Sequence, residues 1–190
     1  YKSIGINISS KVSSYKFEGL FLERLNFLSV GEGGHQDIVL IGLGSKKELD
    51  HEKVFKAFSS ITYNEVQKKY KDKEISIIYP TNFSDKYITS SIDGLNNGHY
   101  VFDKYKTKKN NISDVSINLS IGKSNRRTID KIITKSANKF NGVNLTRDLV
   151  NEQPLVLTPA VLANTAKKIS SYSNITCTVF DKKEILNRKM

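Results

Sequence analysis

The chain has 190 residues, a length that fits one large domain or one domain with part of a second. It is 38% hydrophobic and 26% charged, which allows a buried core and excludes a disordered tail. The single cysteine, Cys177, excludes an internal disulfide framework and a cysteine-based zinc site, and it suits a reducing compartment. Apolar runs are far shorter than the roughly 20 residues of a membrane span.

The net charge of +11 is unevenly distributed, because residues 103–190 hold seventeen Lys and Arg against seven Asp and Glu. Such a basic region is typical of proteins that bind nucleic acid or another polyanion. Codon bias in an A/T-rich genome also produces lysine-rich chains. Arginine, which nucleic-acid proteins use for bidentate contacts, numbers only five here. Nucleic-acid binding therefore stays an alternative that we do not favour.

Residues 1–123 alternate short apolar runs with amphipathic stretches, a pattern that predicts an α/β domain. The predicted strands cover residues 3–8, part of 20–30, 37–43, 74–79 and 115–121. The continuous apolar run after Asp37 indicates a buried central strand. The predicted helices cover residues 51–70, after an N-cap at Asp50, and 84–102, where Gly94 and Gly98 weaken the pattern.

The second half of the chain reads as a linker helix followed by the start of another domain. A long amphipathic helix is predicted over 128–150, with a kink or close packing at Gly142. Its expected buried side chains are Ile132, Ile133, Phe140 and Leu149. Thr158-Pro159 predicts the start of a helix that runs to about residue 170. A strand is predicted over 175–180, and Asp181 predicts the start of a last helix.

These elements predict boundaries at 1–123 for the α/β domain, 124–151 for the linker helix and 152–190 for the beginning of a second, truncated domain. One strand and two helices are too little to bury a sheet face by themselves. Five apolar residues of this last segment must therefore find cover elsewhere or stay partly exposed: Val161, Leu162, Ile175, Val179 and Ile185.

No residue pattern in the chain indicates an active site, and we assign no catalytic, cofactor-binding or metal-binding residue. The histidines lack metal-binding spacing, and the carboxylates that border predicted elements form no acid/base pair. These residues are His35, His51, His99, Asp37, Asp93 and Asp103. Cys177 lies in a predicted strand between two threonines and reads as a buried structural thiol.

Two segments have polyanion binding as an alternative interpretation. The turn Gly42–Ser45 follows a strand and precedes a helix, so its backbone N–H groups could hold the phosphate of an ADP-ribose-type ligand. It lacks the full dinucleotide fingerprint, which favours a tight turn. The basic run Lys104–Lys109 could contact phosphates, but a solvated loop is the commoner reason for such a run.

Three segments, in order along the chain, resemble the leucyl aminopeptidase (cytosol aminopeptidase) family. Asp37–Asp50, DIVLIGLGSKKELD, resembles the Val-Gly-Leu-Gly strand and turn of that family. Gly94–Lys109, GLNNGHYVFDKYKTKK, resembles its Gly-x-x-x-Gly-x-Tyr-x-Phe-x-x-Tyr-Lys segment. Asn144–Asn151, NLTRDLVN, followed by Leu157-Thr-Pro159, is similar to its entry into the catalytic domain. The chain departs from the family at Gln153-Pro154-Leu155, where the usual motif is Pro-Ala-Asn.

The resemblance implies an N-terminal domain similar in fold to macro domains, a long helix, and a catalytic domain that removes N-terminal residues from peptides. Two divalent metals, zinc or manganese, would polarise the scissile carbonyl and supply a hydroxide. The family's metal-ligand motifs are absent from this chain, so we expect the metals outside this stretch. The resemblance also implies a hexameric parent enzyme and a cytoplasmic location. This stretch would then serve as scaffold or in oligomerisation.

Overall fold

The fold was obtained as a computed structural model that describes residues 8–31, 34–66, 74–80, 83–108, 116–122, 125–172 and 174–190. The α-helices are α1 (Ile8–Ser14), α2 (His51–Ile61), α3 (Ile88–Gly98), α4 (Arg126–Asn151), α5 (Pro159–Ser171) and α6 (Lys182–Asn187). The strands are β1 (Arg24–Gly31), β2 (Gly34–Ile41), β3 (Ile75–Ile78) and β4 (Ile117–Ser120). The predicted α/β class is confirmed. The chain divides into two compact units, Tyr1–Val143 and Asn144–Met190.

The described strands form two small sheets. β1 pairs with β2 in an antiparallel hairpin, and β3 pairs with β4 in parallel. The prediction of a buried central strand after Asp37 is wrong, because among the described residues β2 pairs with β1 alone and Asp37 is exposed. A run of apolar residues does not distinguish a central strand from a hairpin strand that is half-covered. Of the strand predicted over 3–8, residues 3–7 lie outside the described residues and Ile8 begins α1.

The main core lies between α2, the region leading into α3, and the β3–β4 sheet. Its buried members are Val54, Ala57, Phe58, Tyr79, Tyr87 and Leu95. Asp50 begins α2 as predicted, and its carboxylate accepts a hydrogen bond from the Lys53 N–H at 2.7 Å. α2 ends at Ile61 and continues as a π-helical turn over Thr62–Val66. The remaining residues of the predicted helix, 67–70, lie outside the described residues.

Helix α3 packs against α2 through its two glycines. A Cβ at Gly94 would overlap the carbonyl oxygen of Phe55 and lie 2.9 Å from Cβ of Phe58. A Cβ at Gly98 would overlap the carbonyl of Ser59. Because residues four apart share a helix face, these glycines let the two backbones approach closely. The predicted helix over 84–102 is shorter, since a 3₁₀ turn precedes α3 and α3 ends at Gly98.

Helix α4 confirms the long helix predicted over 128–150. Phe140 is buried with 6% exposure, whereas Ile133 is 41% exposed, so the prediction for Ile133 is wrong. Ile132 and Leu149 are half-buried. The predicted close packing at Gly142 is also wrong, because a Cβ there would meet no atom within 4 Å. The apolar stripe of α4 is therefore wider than the part of it that packs against other described residues.

The unit Asn144–Met190 contains the end of α4, α5 and α6. The Thr158 side chain caps α5, and Asp181 with Glu184 forms a capping box at α6, as the sequence predicts for both starts. The strand predicted over 175–180 is not formed. A β-branched run needs a neighbouring strand for its hydrogen bonds, and the described residues provide none.

Candidate functional site

Of the histidines considered as ligands, His51 contacts residues of its own fold. His51 Nδ1 lies 2.9 Å from Ser90 Oγ, and its ring meets Tyr87 edge-on at 5.2 Å between centroids. His99 follows α3 and is exposed, while the side chain of His35 lies outside the described residues. Across the described part of the chain, no three His, Cys, Asp or Glu side chains form a group that could hold a metal ion. The described residues therefore do not fit the metal pair that the family resemblance implies.

The turn Gly42–Ser45 is tied to the loop before β1. Gly42 N–H donates to the Glu23 carbonyl at 2.8 Å, and Gly44 N–H donates to the Gly19 carbonyl at 3.0 Å. A Cβ at Gly42 would overlap the carbonyl of Leu20. Two of the amides that could have held an anion are thus already bonded to the chain. The geometry is that of a tight turn, the interpretation that the sequence favoured.

The basic run after residue 103 forms an exposed turn. Lys106 N–H donates to the Asp103 carbonyl at 3.0 Å, and Lys104 Nζ lies 5.4 Å from the centre of the Tyr105 ring. The last lysine of the run, Lys109, lies outside the described residues. Cys177 is half-buried in an irregular segment and not in the predicted strand.

A polar cluster joins α3 to α4, and the sequence offered no signal for it. Ser136 Oγ donates to Asp93 Oδ1 at 2.6 Å, and Lys139 Nζ forms an ion pair with Oδ2 of the same carboxylate. Asn96 Nδ2 donates to Ser136 Oγ at 3.0 Å and to the Ile92 carbonyl at 3.2 Å. Asp93 and Ser136 are both buried. The carboxylate that the sequence left unassigned is thus the centre of a helix–helix contact.

A further ion pair links the β1–β2 hairpin to the π-helical turn after α2. The Arg24 guanidinium pairs with Glu65 in the π-helical turn and donates to Ser60 Oγ at 3.0 Å. Glu65 is buried, and Ser60 Oγ in turn donates to the Ala57 carbonyl at 2.7 Å. Arg24 and Glu65 are 41 positions apart in sequence, and for this reason no local pattern indicates their ion pair.

The unit Asn144–Met190 presents many apolar side chains to solvent. The five residues that the sequence left without a partner are all more than a third exposed: Val161, Leu162, Ile175, Val179 and Ile185. Leu155 is 91% exposed and Tyr172 80%. None of the residues in α5 or α6 is buried. Exposed apolar surface of this extent is typical of an interaction face. The described helices include none that is long and apolar enough to cross a lipid bilayer.

The fold and these surfaces define a small α/β domain followed by a helical segment with an uncovered apolar face. Residues 2–109 match the family model described as the cytosol aminopeptidase family, N-terminal domain. The chain therefore belongs to the cytosol aminopeptidase family, as the three sequence segments indicated.

Curated relatives and solved structures agree with this assignment. The chain is 32% identical to a probable cytosol aminopeptidase of Chlamydia trachomatis, over 100% of this chain and 38% of that protein. It is 30% identical to a probable cytosol aminopeptidase of Clostridium perfringens, over 97% of this chain and 38% of that protein. The chain thus spans about two fifths of the length of these relatives.

Two solved structures share the fold. A mutant of tomato leucine aminopeptidase is similar with a TM-score of 0.74 at 23% identity, over 100% of this chain and 37% of that chain. The bottromycin maturation enzyme BotP in complex with Mn is similar with a TM-score of 0.71 at 13% identity, over 96% of this chain and 38% of that chain. These similarities establish the fold of the present chain.

Proposed function

We propose that the chain is the N-terminal portion of a metal-dependent, leucyl-type aminopeptidase, a hydrolase that removes N-terminal residues from peptides. The observation that carries this proposal is the match of residues 2–109 to the N-terminal domain of the cytosol aminopeptidase family. The relatives that span the chain are named probable cytosol aminopeptidases, which supports the activity of the parent protein.

Within that enzyme, this stretch is the scaffold and holds no catalytic residue. Its parts are an α/β domain over 1–123, a linker helix over 124–151 and the beginning of the catalytic domain over 152–190. The two divalent metals, zinc or manganese, bind outside this stretch. The manganese in the similar enzyme BotP supports a metal-dependent parent. The parent enzyme is a cytoplasmic homo-oligomer, a hexamer by the family resemblance.

The uncovered apolar face of the second unit supports the scaffold role. Side chains such as Leu162 and Ile175, half or more exposed, would each gain stabilisation by burial, at about 25 cal/mol per Å² of apolar surface. In the parent enzyme, the rest of the catalytic domain covers this face and gives 175–180 a neighbouring strand.

An activity assay on two lengths of the protein tests the proposal. The 190-residue chain and the longer parent are each assayed for hydrolysis of leucine amide, with and without added manganese. We expect metal-dependent turnover from the parent and none from the 190-residue chain. Turnover by the shorter chain would contradict the scaffold role, and a parent that is inactive on every aminoacyl amide with either metal would contradict the proposed activity.

Nucleic-acid binding remains the second candidate because of the basic excess in 103–190. The exposed side of α4 carries Arg126, Arg127, Lys131 and Lys135. Binding that depends on these cations would weaken steeply with salt, because it releases condensed counterions. Titration of a DNA duplex at two salt concentrations separates a true site from weak association. Affinity that is unaffected by alanine at Arg127 and Lys131 would remove this candidate.

A further inference from the structure

Helix α4 is buried over a single turn. It has 26 residues, about 39 Å at 1.5 Å per residue, yet only Ser136 and Phe140 are buried. Both lie on the turn that meets Asp93 of α3. The preceding turns offer other apolar side chains, Ile129, Ile132 and Ile133, which are half-buried or exposed. A shift of α4 by seven residues, about two turns, would bring Ile129 and Ile133 to the places of Ser136 and Phe140, so apolar packing alone allows a second register.

The hydrogen bonds of the polar cluster at this turn can form in only one register of α4. Asp93 accepts from Ser136 and from Lys139, which lie three apart on the same face of α4, and Asn96 donates to Ser136. A shift of α4 to that second register would leave the buried Asp93 carboxylate and the Asn96 amide without these partners. Hydrogen bonds are directional and an unpaired buried carboxylate is costly, so the shifted register is disfavoured.

We infer that a cluster of four residues, Asp93, Asn96, Ser136 and Lys139, acts as a register pin. The register pin selects one register of α4 on α3 and contributes little to net stability. Lys139 is half exposed, so its ion pair is screened by solvent. Replacing a buried polar group by well-packed apolar residues is often neutral for stability, whereas deleting one partner is not. The pin therefore acts on the position of the α4 turn around residues 136–140 against α3.

Distance measurements between spin labels test the pin. In a Cys177→Ser background, one label replaces Lys56 on α2 and the other replaces Arg127 or Asn141, which lie on either side of the pin. All three positions are exposed. We expect the native protein to give one narrow distance for each pair. The apolar triple variant Asp93→Leu, Ser136→Ala, Lys139→Met is expected to lose that single distance while its urea midpoint stays near the native value.

Single variants give the matched comparison. Lys139→Ala is expected to broaden the distances, whereas Lys135→Ala, one turn away and outside the cluster, is expected to leave them unchanged. Ser136→Ala is expected to speed exchange of the α4 amides around residue 136 by about tenfold, the factor for one hydrogen bond to a charged group. A single narrow distance in the triple variant would overturn the inference, because packing around Phe140 would then suffice. A triple variant that does not fold would also overturn it, since the cluster would be a source of stability.

Discussion

Gly94 of α3 lies against the backbone carbonyl of Phe55 in α2, so closely that a methyl group at Gly94 would overlap that oxygen. The two helices meet backbone to backbone, and Gly98 repeats the contact one turn later against Ser59. The obstacle is main chain, which cannot rotate away as a flexible side chain can. The close approach thus depends on the absence of a side chain at both positions.

Gly94→Ala is expected to lower the free energy of unfolding by about 1–3 kcal/mol, the usual cost of overpacking a close contact. The matched control is Gly142→Ala in α4, where a Cβ meets nothing within 4 Å. That change is expected to raise stability by about 0.5–1 kcal/mol, because alanine favours the helix. Urea unfolding of both variants measures the difference. Equal effects at the two positions would contradict the packing role of Gly94.

Phe140→Ala is expected to destabilise the protein by about 3–5 kcal/mol, since it removes a buried aromatic ring. Ile133→Ala, on an exposed part of the same helix, is expected to change stability by no more than about 0.5 kcal/mol. Thermal or urea unfolding with the two variants side by side checks this. A loss below about 1 kcal/mol for Phe140→Ala would show that α4 contributes little to the first unit.

Tyr79 makes the fold sensitive to alkaline pH. Burial of its phenol, which hydrogen-bonds Ser91 Oγ at 2.8 Å, raises the pKa of Tyr79 to about 12 from 10.0. Because the folded state favours the neutral phenol, the related stability is complete below about pH 10 and is lost as the pH rises towards 12. Urea midpoints between pH 8 and 11 should fall for the native protein. The urea midpoint of Tyr79→Phe should fall less steeply with pH. If both proteins show the same dependence on pH, groups other than Tyr79 control the loss of stability at alkaline pH.

Backbone exchange should separate the two units. Amides of 175–180, which form no strand, are expected to exchange faster than amides of α2 around Val54 and Phe58, which are buried in the core. Hydrogen–deuterium exchange on the 190-residue chain, in a sample shown to be monomeric, measures both. Equal protection of the two segments would mean that 175–180 is part of a stable core, and the proposed boundary near residue 151 would then be wrong.

Local signals in the sequence predicted much of what local chemistry controls. The N-caps Asp50, Thr158 and Asp181 are where the pattern placed them, because a cap depends on residues within one turn. The long amphipathic helix over 128–150 was equally visible from its periodicity. The family was recognised from three sequence segments and their order along the chain, which composition alone does not reveal.

Contacts between distant residues were decided only by the tertiary structure. Asp93 and Ser136 are 43 positions apart, so neither residue alone indicates a buried hydrogen bond. Gly94 and Gly98 weakened the helix pattern, and only the position of α2 shows that they are what lets α3 pack. Burial of Phe140 but not Ile133 likewise depends on which face of α4 meets α3, because the apolar stripe alone includes both. The sequence by itself determined the helix starts, the long helix and the family, through short-range propensities and motifs, and the packed fold decided which strands pair and which faces are covered.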